Sequence, residues 1–385
     1  MNILFDLKGT QPKKISKILG GGRYGEMVLR RIAERGLPVH CCYDSRLWLN
    51  PEMMKLISDK QIPLYDLCEN SLEEIIKKVN VALIYLPLLS ETIEHLGHID
   101  TDKCNILATI HDMRSLEVSI DFYQLLYKSS LGRMARNALK WVLSWYVKKK
   151  HLYQYGKLLT DKHIGIITVS NHTAYAFKAF FPQQNKNRSF PVFYAPSTSW
   201  LETNTRKYQE KYFLLVSCNR YSKNCLRAIK ALDRLFTNGY AEGFKVKLTG
   251  IDNLNVFWGK IKNKDRFECV GFVDEKELDQ LFHDAYCFIY PTLQEGFGYP
   301  PLEAMHYGVP VLSSPFTAIP EICGGNVIYF NPLSIEEIMN RILMILDDEV
   351  HTKYSQLGRE RYGLITKKQN EDLDRLIDYI YNYQK

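Results

Sequence analysis

Short apolar runs recur along this chain at intervals filled by helix-length segments of mixed polarity, and no other feature limits its fold so tightly. NILFDL opens the series, and PVHCCY (38–43), VALIYLP (81–87), NILATIHD (105–112) and IGIITVS (164–170) continue it. Each has the length of a strand. Between the first two, EMVLRRIAERG places Met27, Val28, Ile32 and Ala33 at helical spacing and stops at Gly36. Strands alternating with helices in this way build parallel α/β sheets, so the first half reads as a Rossmann-like unit.

After VFYAPSTSW the polar stretch LETNTRKYQEK shows no apolar periodicity, and a second series begins at YFLLVSCNR (212–220). Strand-like runs KVKLTG, RFECVGFV, YCFIYP, VPVLSS and NVIYF follow, with LRAIKALDRLF and EKELDQLFHDA as helices among them. A length of 385 residues supports two cores of this kind. The expected division is 1–200 and 210–365, with a boundary near 196–211. A closing helical segment, 366–385, has apolar residues able to dock on either half, the N-terminal domain being its expected seat.

The hydrophobic share of 46% and charged share of 24% are those of an ordinary globular chain. No apolar run reaches the roughly 18–20 residues a spanning helix needs, and MNILFDLKGT lacks a signal-peptide charge pattern, so a cytoplasmic protein is expected. The nine cysteines show neither C-x-x-C spacing nor a zinc-like His/Cys cluster, which points to free thiols in a reducing compartment and to no metal site.

The stretch PTLQEGFGYPPLEAMHYGVPVLSSP (291–315) carries the densest chemistry. It follows the strand-like run CFIYP, and ligands of open α/β sheets bind at strand carboxyl ends. Its glycines allow backbone N–H groups to approach a ligand, and its prolines suit the first turn of the helix PLEAMHYG. Such a helix start favours a phosphate. Glu303 is expected in that first turn and Glu295 just before the glycines. Two carboxylates flanking an N–H nest can hold a polyol by its hydroxyls. Taken singly, Glu303 also suits a helix-start role and Glu295 a solvated loop.

EGFGYPPLEAMHYGVPV resembles the E-x7-E motif of the retaining GT-B glycosyltransferases, most specifically glycosyltransferase family 4, whose usual form is E-G-F-G-L-P-x-L-E-A-M followed by G-x-P-V. Tyr299 stands where leucine is commoner. SCNRYSKN (217–224) is similar to the family's G-R-x-x-x-K-N segment, with serine and cysteine where V-G is frequent, and implies that Arg220 and Lys223 hold a nucleotide-sugar diphosphate. GFVDEKELDQLFHDA resembles the stretch whose backbone contacts the base, which implies Phe272 and Val273. SSPFTAIPEICGG matches P-E-x-x-G at Pro320, Glu321 and Gly324. GGGRYGEMVLRRI resembles the G-x-G-R-Y loop near the donor phosphates, with Gly20, Gly21 and Gly22 supplying N–H groups and Arg23 a charge. TIHDMRSLE resembles H-D-[LM] after a strand, where the histidine approaches the donor sugar, which implies His111 beside Asp112.

The resemblance implies an α/β GT-B fold, two Rossmann-like domains facing across a cleft, the first serving the acceptor and the second the nucleotide sugar. It implies transfer of a sugar, with retention, from a nucleoside-diphosphate sugar to a hydroxyl of a glycan or lipid-linked acceptor in polysaccharide or glycolipid assembly. Arg220 and Lys223 would stabilise the leaving diphosphate, an electrostatic role that needs no metal or other cofactor. Glu295 would position the sugar or stabilise an oxocarbenium-like centre, and His111 would lie opposite. Gly296, Phe297, Gly298, Tyr299 and Leu302 would complete the donor grip, with Glu303 on the ribose. Rival readings are a non-catalytic nucleotide-sugar-binding partner protein and a GT-B sugar-nucleotide epimerase.

Segment 114–162 holds ten basic side chains against three acidic ones, an excess equal to the +7 of the whole chain. It interleaves Trp141, Val142, Trp145 and Tyr146 with Arg133, Arg136, Lys140 and Lys148–Lys150. Two readings fit: an interfacial helix on an anionic membrane, which would place the protein peripherally on the inner face, or a basic helix packing its aromatic side on the domain core. No nucleic-acid module is recognisable, so nucleic acid is not expected as a partner.

Overall fold

Every ladder between the strands of the described residues is parallel. The structure, a computed structural model, describes residues 1–12, 20–89, 104–118, 121–127, 131–160, 163–182, 189–197, 210–257 and 259–383. The polar stretch expected to join the two halves lies largely outside them.

The described residues form two sheets of six strands. The first comprises β1 (Ile3–Asp6), β2 (His40–Tyr43), β3 (Leu64–Asp66), β4 (Leu83–Leu86), β5 (Asn105–Ile110) and β6 (Ile164–Thr168), in the order β3-β2-β1-β4-β5-β6. The second comprises β7 (Tyr212–Leu215), β8 (Lys245–Thr249), β9 (Phe267–Gly271), β10 (Cys287–Tyr290), β11 (Val311–Ser313) and β12 (Ile328–Tyr329), in the order β12-β11-β10-β7-β8-β9. Counted from its own first strand, the second order repeats the first. Both are doubly wound, with the order reversing between β1 and β4 and between β7 and β10.

Burial explains why these runs are continuously apolar. Central β1, β4, β7 and β10 are buried at every residue, as parallel strands covered by helices on both faces must be. Edge β3 is half-buried throughout. Helix starts follow local chemistry: Ser71 with Glu74 and Asp274 with Glu277 form capping boxes on helices Leu72–Val79 and Glu275–Asp284.

The chain folds as two units, one of Met1–Met113, Leu152–Thr198 and Thr366–Lys385, the other of Arg114–His151 and Ser199–Ile365. This differs from the sequence division, which assigns all of 114–162 to the first domain. Contacts within the second unit explain the difference. The Tyr127 hydroxyl accepts the Leu226 backbone N–H at 3.0 Å, and its ring packs on Phe257. Buried Arg227 pairs with Asp121 and lies 3.7 Å from the Tyr123 ring centroid. Helix Asp348–Tyr381 contributes to both units. Its later residues are tied into the first by Asp372, which accepts the Tyr194 N–H at 3.0 Å, and by Gln369, which donates to the Ala195 carbonyl at 2.6 Å.

Candidate active site

In the second unit two loops leave neighbouring strands at the switch point. One runs from β7 to helix Cys225–Thr237 and carries Arg220 and Lys223; the other runs from β10 to helix Tyr299–His306 and carries Glu295. They are laced together. The Leu293 N–H donates to the Ser222 carbonyl at 2.7 Å, and the Asn224 side-chain amide donates to the carbonyls of Pro291 at 3.0 Å and Pro332 at 2.7 Å. Asn224 adopts φ 56° at the helix start, a left-handed conformation that asparagine accepts more readily than most residues.

That lacing brings Lys223 onto Glu295. Both are buried, and the Lys223 Nζ lies 2.5 Å from Glu295 Oε1. The Tyr290 hydroxyl accepts from Lys223 at 2.6 Å and donates to the same Oε1 at 2.6 Å, which the Thr292 hydroxyl also reaches at 2.7 Å. No described residue hydrogen-bonds Oε2. The Glu295 N–H donates to Thr317 Oγ1 at 2.8 Å and fixes the backbone. Burial opposes ionisation of Glu295, but the charge of Lys223 and the hydrogen bonds from Lys223, Tyr290 and Thr292 outweigh it and hold its pKa below the ordinary carboxylate value. Burial, then the charges of Glu295 and Glu303, push the Tyr290 phenol well up and keep it a donor.

Lys223 therefore has two of its three ammonium protons engaged, and the third has no acceptor among the described residues. Arg220 is exposed and makes no side-chain hydrogen bond among them. One oriented ammonium and one guanidinium thus stand past the end of β7, a pair able to take up negative charge.

The motif loop is buried from Gln294 to Gly298, and so are Leu302 and Glu303. Gly298 has φ 115°, a conformation that requires glycine, and a Cβ there would lie 3.0 Å from Ile319. The helix starts at Tyr299, earlier than the sequence suggests, because Pro300 and Pro301 are accommodated within its first turn. Glu303 consequently occupies the second turn and not the first. Phe272 is exposed and Val273 half-buried, just past the carboxyl end of β9, two strands from β7.

In the first unit, Gly20, Gly21, Gly22 and Arg23 do not form a loop: they are the opening residues of helix Gly20–Glu34. Close packing uses the glycines, since a Cβ at Gly21 would approach Leu88 to 3.0 Å and one at Gly25 would meet Thr10 at 2.2 Å. His111 follows β5, its Nε2–H donating to the Pro87 carbonyl at 2.8 Å and its ring standing edge-on to Tyr24 at 4.6 Å. This fixes the tautomer and leaves Nδ1 as an acceptor. Burial lowers its pKa, against the Pro87 hydrogen bond and the Asp112 charge, so the neutral ring is favoured.

Tyr290, Thr292, Asn224 and Thr317 hold the Lys223–Glu295 arrangement and were not singled out by sequence. A tyrosine closing an apolar strand directly before the motif was the available signal for Tyr290. Gln294 is held similarly, accepting from Arg114 Nε at 3.1 Å and donating to Glu117 at 3.3 Å.

Residues 198–362 match the model of the family described as glycosyl transferases group 1. Over 98 residues the chain is 36% identical to O-antigen chain mannosyltransferase B of Escherichia coli, covering 25% of this chain and 26% of that protein. Over 237 residues it is 25% identical to O-antigen chain mannosyltransferase RfbU of Salmonella typhimurium, covering 59% of this chain and 57% of that one. The matches thus span from about a quarter to just over half of these relatives. The fold is similar to Anabaena Alr3699/HepE, solved with UDP-glucose, at TM-score 0.61 and 14% identity over 98% of this chain and 100% of that one. It is likewise similar to WaaG, described as a glycosyltransferase of lipopolysaccharide biosynthesis, at TM-score 0.60 and 13% identity over 99% and 100% of the two chains. The architecture is that of the GT-B glycosyltransferases.

Proposed function

We propose that this GT-B protein, with a glycosyl transferases group 1 sequence over residues 198–362, moves a hexosyl group from a nucleoside-diphosphate sugar to a hydroxyl of a growing glycan or lipid-linked acceptor. The observation that carries this reading is the buried Lys223–Glu295 pair at the β7/β10 switch point, whose third ammonium proton has no acceptor among the described residues, with Arg220 exposed on the same loop. When the bond from the anomeric carbon to the diphosphate oxygen breaks, negative charge grows on that oxygen. Cations held in place beforehand stabilise this charge without reorganising.

Glu295 has two parts in this reading. Its Oε1 aims the ammonium, and its Oε2 is available to a sugar hydroxyl. Gly298 and the N-terminus of helix Tyr299–His306 would receive the phosphates, Glu303 the ribose, and the Phe272 and Val273 backbone the base. Nδ1 of His111, in the first unit, suits a hydroxyl donor. The mannosyltransferase names of the relatives make mannose the first sugar to try, and polysaccharide assembly the setting. Retention follows if the acceptor attacks from the side the diphosphate leaves.

The test is transfer from guanosine- and uridine-diphosphate mannose and glucose to lipid-linked and free glycan acceptors, with product anomers assigned by NMR. A retained glycosidic product that is lost in Lys223→Ala and Glu295→Ala supports the proposal. Tight binding of a nucleoside diphosphate sugar with no turnover on any acceptor would instead identify a non-catalytic binding protein.

A further inference from the structure

Large exposed apolar side chains of the second unit, such as Tyr240, Phe272, Leu333 and Met344, are scattered along the chain, except in one place. Across helices Leu131–Val142 and Ser144–Thr160, Leu139 is 58% exposed, Trp141 50%, Val142 64%, Trp145 64% and Tyr146 56%. The two helices are nearly one rod, because the Leu143 N–H donates to Leu139 at 2.8 Å and the Val147 N–H to Leu143 at 3.0 Å across the break. At helical spacing Leu139, Val142 and Tyr146 then fall on one line, with exposed Trp145 and then Trp141 further round on one side of it. Ser144 and Lys148, on the opposite side, are half-buried. The aromatic side therefore faces away from the fold.

We propose that this edge docks on an anionic lipid bilayer, lying in the headgroup layer. The inference is independent of sugar transfer, since it uses no residue of the site above. Charge selects the occupant. From residue 122 to residue 160 the chain contains eight lysines and arginines and no aspartate or glutamate, and Lys149 and Lys150 beside the aromatic line are exposed. A second copy brought onto this edge would set two such segments against each other. Lipid phosphates neutralise the lysines, and tryptophan and tyrosine favour the boundary where an apolar ring body meets a polar layer. Among the described residues no helix is long and apolar enough to cross a membrane, which matches attachment along the surface.

Co-sedimentation with phosphatidylcholine vesicles, with and without phosphatidylglycerol, tests this, with tryptophan fluorescence as a second readout. The full chain is expected to bind the mixed vesicles, to shift its emission to the blue, and to release in high salt. Lys149→Ser with Lys150→Ser should weaken binding about twentyfold, and Trp141→Ser with Trp145→Ser should abolish the blue shift, each with an unchanged thermal midpoint. Should the tryptophan variant fail to fold, the lysine variant alone decides. Absence of binding, equal binding to uncharged vesicles, or unchanged binding by the lysine variant overturns the proposal. So does a dimer in solution that the tryptophan variant dissolves.

Discussion

The two sheets share one strand order, but the carboxyl ends of their strands hold opposite kinds of chemistry. In the second unit a buried ammonium and carboxylate meet at 2.5 Å. In the first, Tyr24, Tyr85 and Thr109 join their hydroxyls at 2.9–3.3 Å, beside a histidine that burial disposes to be neutral. Burial also raises the pKa of Asp6, at the end of β1, to about 6. One scaffold thus supports an ionic crevice and a largely uncharged cluster, and the difference lies in a few side chains on the strand ends and the segments that follow them. The ionic pair can take up negative charge, whereas the three hydroxyls of the first unit are fully buried and satisfy one another.

The largest expected effect strikes the ionic crevice. Lys223→Met leaves Glu295 buried without its cation and should cost about 3–5 kcal/mol in urea unfolding, together with about 10²–10³-fold in kcat. Adding Glu295→Gln should restore most of the stability and none of the turnover. A stability loss that persists in the double variant would break the comparison. Next come paired hydroxyl deletions. Tyr290→Phe removes a hydrogen bond to a carboxylate and should cost about 2 kcal/mol, whereas Tyr85→Phe, within neutral hydroxyls, should cost about 1 kcal/mol; equal losses would erase the distinction.

The third effect is one of pH. His111 has a folded pKa below its ordinary 6.5, so the unfolded chain takes up the proton first. Its stabilising contribution is complete above that value and is lost as pH falls below it towards the folded pKa. Urea midpoints measured from about pH 7.5 to about pH 5 should decline less steeply in His111→Gln, and parallel curves would refute a neutral first-unit site. The smallest effect falls at Ser217, which holds φ 56° past β7, a left-handed conformation that glycine adopts at no steric cost. Ser217→Gly should stabilise by about 0.5–1 kcal/mol, and a loss would show that the hydroxyl contributes more than the backbone strain costs.

The sheets were legible because parallel strands buried on both faces leave continuous apolar runs, and CFIYP and NILATI are such runs. Lys223 and Glu295 were legible as separate candidates, each from its own motif. Their mutual contact was not, because 72 residues separate them and only the β7–β10 pairing brings them together. The seat of residues 114–127 was hidden for a similar reason: Asp121 and Tyr127 have nothing unusual next to them in sequence, and their partners lie about 100 positions on. Gly20–Gly22 misled as a loop because glycine triplets signal turns, while here tight packing of a helix on Leu88 and Thr10 selects glycine at Gly21 and Gly25.

The passage of helix Asp348–Tyr381 through both units fixes an order of events during synthesis. Chains emerge from the ribosome from their first residue onward, and the second unit draws on nothing beyond Ile365. The first unit draws on Thr366 and later residues, which satisfy the Tyr194 N–H and the Ala195 carbonyl. The half that is translated first is therefore the half completed last: its Tyr194 N–H and Ala195 carbonyl lack these partners until the ribosome has delivered Asp372 and Gln369, 178 and 174 residues downstream of them.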